Sequence, residues 1–74
     1  MPYYVGMNNK FYEKLKELRL EKSLLQKQLA SDLGVTQACI GKWETGDREP
    51  SLDDLIRVAK YFGVTTDYLL GLED

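Results

Sequence analysis

An all-α fold of five helices is predicted by three observations. Apolar residues recur at helical spacing through residues 26 to 45 and again from residue 52 onward. Gly34-Val35 divides the first of these stretches into two halves, as a tight turn between two short helices would. Pro50-Ser51 with Asp54 then marks a fresh helix start through a Ser-x-x-Asp capping box.

Residues 1–9 have no period and contain Pro2 and Gly6, so they are expected to form an N-terminal arm whose adhesive part is Tyr3, Tyr4 and Val5. A compact domain is expected over residues 10–72. Its first helix should run from residue 9 to 21, with Phe11, Leu15 and Leu18 inward and Lys and Glu alternating outside. Leu20 falls off that face. Ser23 stands where glycine would end the helix more cheaply, and Leu25 stands where Ser, Thr, Asp or Asn would cap the next one. Leu20 and Leu25 are therefore candidates for an exposed apolar patch.

In the central stretch, Leu29, Ala30 and Leu33 mark one helix face and Ile40 and Trp43 another. Gly34 supplies the left-handed backbone between them, Val35 plugs the crotch, Thr36 caps the new helix, and small Ala30 allows close helix approach. This pattern specifies a helix-turn-helix, whose second helix can enter a DNA major groove. After a polar turn over residues 45–50, Leu52, Leu55, Ile56, Ala59 and Phe62 are read as the apolar side of helix four. Gly63 ends it, Val64 enters the core, and Thr65 caps a last short helix with Asp67 near its positive end and Leu69 and Leu70 inward.

The 74 residues, 43% hydrophobic and 30% charged, fit one small domain with a modest core, for which a dimer would add stability. The net charge of −2 conceals an uneven distribution. Residues 10–48 carry eight basic and six acidic side chains, whereas residues 49–74 carry two and six, so the acidic excess lies away from the helix-turn-helix. With one cysteine, Cys39, and no histidine, an internal disulfide and the usual zinc sites are excluded, and a reducing cytoplasm is the simplest compartment. Neither a signal-peptide pattern nor a stretch able to span a bilayer is recognised. Nothing supplies a base to activate a nucleophile, so neither an enzyme nor a cofactor is expected.

On the residues LKELR, Q-x-x-LA-x-x-LGV-x-Q-x-x-I-x-KWE-x-G, REPSL and LIRVAKYFGVTTDYLL, the chain resembles the Cro/C1-type, or Xre-type, helix-turn-helix domain of phage and bacterial repressors from about residue 10 to 70. The resemblance implies a lambda-repressor-like five-helix domain. It also implies an ion pair between Arg19 and Glu44, a repressor acting on double-stranded operator DNA, and homodimerisation. Leu25, Ser23, Asp47 and Cys39 depart from the residues common in that family; Asp47 weakens the expected phosphate clamp.

Residues near the start of the recognition helix, Gln37, Ala38, Gly41 and Lys42, are the base-reading candidates. The Gln37 amide matches adenine N6 and N7, and Lys42 serves either guanine O6 and N7 or a phosphate. Ala38 suits a thymine methyl, and Gly41 allows close approach. Gln26, Thr36, Thr45, Gly46 and Arg48 are the phosphate-binding candidates, and Gln26 is also expected to buttress Gln37. Tyr68, Leu70 and Leu72 are the expected dimer surface. The competing expectation is a protein-interaction module that binds a protein partner, as an antitoxin or anti-regulator, through Leu20, Leu25 and the arm.

Overall fold

Five helices follow one another in the computed structural model, which describes residues 9–73: α1 (Phe11–Glu21), α2 (Gln26–Leu33), α3 (Gln37–Thr45), α4 (Leu52–Phe62) and α5 (Thr66–Leu70). Among the described residues there is no strand, and no helix is long and apolar enough to cross a membrane. The expected arm, including Tyr3, Tyr4 and Val5, lies outside these residues except for Asn9.

All five helices end in the same way. An N–H two residues past the helix, or three past α1, reaches back five residues, as in Leu24 to Arg19 O, Val35 to Ala30 O, Asp47 to Lys42 O, Val64 to Ala59 O and Leu72 to Asp67 O. This closure needs one residue with left-handed backbone. Gly34, Gly46, Gly63 and Gly71 provide it at four ends, and Ser23, at φ +56°, provides it at the end of α1. The helix starts are built just as locally. Thr36, Ser51 and Thr65 accept from the N–H groups of Cys39, Asp54 and Tyr68.

Two starts depart from that scheme. α1 begins two residues later than expected, because Asn9 lies ahead of it and its Oδ1 accepts from Phe11 N–H at 2.9 Å. At α2, leucine has no acceptor to offer, so only the reciprocal half of a capping box forms: Gln28 Oε1 accepts from Leu25 N–H at 2.8 Å.

The core draws Phe11, Leu15 and Leu18 from α1, Leu29, Ala30 and Leu33 from α2, Ile40 and Trp43 from α3, Leu55, Val58, Ala59 and Phe62 from α4, and Leu69 from α5. Trp43 meets Phe11 edge to face with ring centroids 5.9 Å apart, so the indole belongs to the core. Val35 and Val64 pack partly buried at its margin.

Helix α4 corrects one expectation. Its inward stripe is Leu55, Val58, Ala59 and Phe62, with Val58 fully buried, whereas Leu52 and Ile56 are 77% and 45% exposed. A stripe spaced three, one and three residues apart faces inward as a unit. Leu52 and Ile56 lie on its shoulder.

Candidate nucleic-acid interface

Helix α3 has two chemically distinct sides. Ile40, Trp43 and Glu44 are buried; Gln37, Ala38, Lys42 and Thr45 are exposed, and Gly41 is half-buried among them. Positions 37, 38, 41, 42 and 45 recur at helical spacing, so the structure brings all four base-reading candidates to one outward face. Among the described residues, neither Gln37 nor Lys42 has a side-chain hydrogen bond or ion pair, and each remains available to a ligand. A Cβ added at Gly41 would stand 3.9 Å from Gln26 Oε1, in ordinary contact. The missing side chain there is thus a matter of the surface contour rather than of tight packing.

The buried side of α3 is anchored by charge. Arg19 Nε donates to Glu44 Oε2 at 2.6 Å and Arg19 Nη2 to Glu44 Oε1 at 3.0 Å, a two-pronged pair whose side chains are 10% and 3% exposed. A third Arg19 nitrogen, Nη1, donates to the Leu24 carbonyl at 2.8 Å. The hydrogen bonds to Glu44 raise the pKa of Arg19 above its already high ordinary value, against burial acting the other way, so the cation persists. Gln26 Nε2 completes the cluster by donating to Glu44 Oε1 at 3.0 Å. Three donors from α1 and α2 thereby hold one carboxylate of α3, and α3 is fixed relative to both.

This geometry changes what Gln26 does. Its amide is turned toward Glu44, beside Gly41, and no hydrogen bond to Gln37 forms. The other phosphate candidates are placed as follows. Thr36 is exposed and its oxygen accepts from Cys39 N–H at 3.1 Å, which leaves its own proton to donate. Thr45 Oγ1 donates to the Lys42 carbonyl at 3.2 Å, and Gly46 N–H to the Trp43 carbonyl at 3.3 Å, so both donors are engaged in closing α3. Arg48 is exposed and, despite Asp47 and Glu49 on either side, makes no ion pair among the described residues. Cys39 is half-buried and free.

The turn of the motif is held from outside by residues absent from the expected set. Arg57 on α4 donates to the Leu33 carbonyl at 2.5 Å, the last carbonyl of α2, and also pairs with Asp54. Tyr61, one turn further on, donates to Asp32 Oδ2 at 2.6 Å. The spacing of Asp54 and Arg57 on a helix signals their pairing, but nothing local signals that Arg57 reaches the Leu33 carbonyl. Of the expected dimer residues, Tyr68 is half-buried with Lys14 Nζ 4.7 Å from its ring centroid, and Leu70 is half-buried. Leu72 is 72% exposed.

The helix-turn-helix family matches residues 15–69. The HTH-type transcriptional activator BcrR of Enterococcus faecalis is 45% identical over 64 residues, covering 86% of this chain and 31% of that protein. An uncharacterized HTH-type transcriptional regulator of Methanocaldococcus jannaschii is 39% identical over 61 residues, covering 82% of this chain and 92% of that protein. The P22 c2 repressor protein, solved in complex with synthetic operator 9T, superposes with a TM-score of 0.79 at 27% identity, covering 85% of this chain and 96% of that one. The chain spans 31%, 57% and 56% of the length of BcrR and of two Bacillus subtilis regulators that it also matches.

Proposed function

Because the chain belongs to the Cro/C1-type helix-turn-helix family, we propose that it is a sequence-specific DNA-binding regulator of transcription, a repressor, acting in the cytoplasm. It binds a palindromic operator as a homodimer, with α3 of each copy in the major groove and half-sites about one helical turn, roughly 34 Å, apart. The observation that carries this reading is the outward face of α3. Gln37 and Lys42 stand there exposed and uncommitted, beside Ala38 and Gly41, on a helix whose other side is locked to the domain through Glu44.

Gln37 reads adenine and Ala38 touches a thymine methyl, while Lys42 donates to guanine or to a phosphate. Thr36 and Arg48, both with donors to spare, hold phosphates on either side of the groove, and Gln26, Thr45 and Gly46 shape the ends of α2 and α3 that approach the backbone. Residues 10–72 form the binding domain and residues 1–9 its arm. Repression is the sign suggested by the likeness to the P22 c2 repressor, although the related BcrR is an activator.

A second reading is favoured by Leu20 and Leu25, 56% and 64% exposed at the corner between α1 and α2, where a protein partner would dock. Titration of the 15N-labelled chain with a mixed-sequence duplex at low salt separates the two. Shifts centred on the amides of Gln37, Ala38, Gly41 and Lys42 are expected. Their absence, with duplex in excess, would overturn the DNA reading and turn the search toward a protein partner.

A further inference from the structure

Helix α4 leaves an apolar stripe without a covering. Leu52 and Ile56 stand one turn apart on its shoulder, 77% and 45% exposed, whereas the other exposed leucines, Leu20, Leu25 and Leu72, lie off α4. Exposed leucines occur singly on most proteins, but two at this spacing on one helix form a ridge. The charges beside the ridge are distinctive. Asp53 precedes Ile56 by three residues and Lys60 follows it by four, both are exposed, and among the described residues neither has an ion-pair partner. Seven residues separate them, two helical turns, so they lie on one side of α4.

We infer that this shoulder of α4 is the surface on which a second copy of the chain packs, the two α4 helices running antiparallel with Ile56 against Ile56 at the twofold axis. The pattern is complementary to itself. At a rise of 1.5 Å per residue, Asp53 stands about 4.5 Å before Ile56 and Lys60 about 6 Å after it. Reversing one helix about Ile56 therefore brings Asp53 opposite the partner's Lys60, and Lys60 opposite the partner's Asp53. A twofold contact of identical patches requires this reciprocity. Leu52 of each copy then covers the ridge at one end. A parallel arrangement would set Asp53 against Asp53 and Lys60 against Lys60, and is disfavoured by like charge.

The contact is small. An 11-residue helix is about 16 Å long, so its shoulder falls short of the roughly 800 Å² per partner of a stable interface. Association in solution is accordingly weak, and two copies on one duplex reinforce each other through proximity. The inference rests on the homodimer of the proposed function and sets its surface on α4 in place of the expected Tyr68, Leu70 and Leu72, of which Tyr68 and Leu70 are half-buried.

Sedimentation equilibrium of the full chain without DNA, up to about 1 mM protein, a range that reaches weak dimers, tests it. The native chain is expected to dimerise reversibly. Ile56→Glu should weaken association about tenfold or more, and Asp53→Lys or Lys60→Asp each about threefold or more, while the double variant Asp53→Lys with Lys60→Asp returns to within about twofold of the native chain. Helical circular dichroism checks that each variant is folded, which its exposed position favours. A native chain that stays monomeric, an Ile56→Glu variant that associates as well as the native one, or a double variant no better than the single ones would overturn the inference. Duplex binding by a monomeric native chain would leave the DNA reading intact, whereas an α4 dimer that binds no duplex would sink that reading alone.

Discussion

Gln26 Nε2 donates to Glu44 Oε1 at 3.0 Å, joining the first residue of α2 to the same buried carboxylate that Arg19 neutralises from α1. The angle between the two helices of the motif is thus set at one end by the Gly34 turn and at the other by a shared anion. A side chain expected at a phosphate thus also braces the helix proposed to read the bases.

Removing Arg19 is expected to be far more damaging than removing Gln26. Arg19→Ala leaves Glu44 charged, buried and short of two donors, a loss of about 3 kcal/mol or more. Gln26→Ala forfeits one hydrogen bond, about 1 kcal/mol. In a domain of this size each kcal/mol moves the melting temperature by roughly 4–8 °C, so thermal unfolding followed by circular dichroism separates them readily. Replacing both partners, Arg19→Met with Glu44→Leu, should recover most of the lost stability. Equal effects of Arg19→Ala and Gln26→Ala would contradict the role assigned to Arg19.

The corner between α1 and α2 is under-optimised, and repairing it should stabilise the fold. Ser23 adopts φ +56°, a conformation that is strained by roughly 1 kcal/mol for a residue with a side chain. Ser23→Gly removes that strain against a partly offsetting loss of chain entropy, for a net gain of about 0.5 kcal/mol. Leu25→Ser supplies the missing acceptor at the start of α2, where Gln28 already provides the reciprocal bond, and should add about 1 kcal/mol. Chemical denaturation midpoints should rise for both; a fall with Ser23→Gly would mean that the serine side chain contributes a contact worth more than its strain.

The Arg57 clasp gives a pH signature. Its hydrogen bond, the largest influence, holds the Asp54 carboxyl below its ordinary pKa in spite of partial burial, with Ser51 contributing in the same direction. A carboxyl depressed in the folded state stabilises above its unfolded pKa, about 3.9, and that contribution fades as the pH falls through the lower folded value. Because the pair is partly solvated its worth is about 0.5 kcal/mol. The urea midpoint of Asp54→Asn should therefore lie below that of the native chain near neutral pH and converge on it below about pH 4. A difference that grows on acidification would contradict this assignment.

What could be seen in the sequence was whatever is decided locally. The glycine closures, the threonine and serine caps, and the core faces of α1, α2 and α3 follow from residue type and spacing, and they stand where spacing put them. Helix α4 was harder because Leu52 and Ile56 are as apolar as Leu55 and Phe62; which of several apolar residues face inward is decided by where the neighbouring helices lie, and for that reason Val58 joins the inward stripe while Leu52 and Ile56 leave it. The Arg19–Glu44 pair entered through family resemblance. The Arg57 contact to the Leu33 carbonyl joins groups 24 residues apart, and the Gln26 contact to Glu44 depends on the packed orientation of two helices. Neither leaves a mark in composition or period.

Selection of binding sites from a randomised duplex pool, run in parallel with the native chain and with Gln37→Ala at near-physiological salt, bears most directly on the proposal that α3 reads DNA. The native chain should enrich a twofold-symmetric motif containing an adenine in each half-site, and Gln37→Ala should lose preference at that adenine by about 1–3 kcal/mol while keeping the remaining positions. No enrichment by the folded native chain, or an identical motif from the variant, would contradict it.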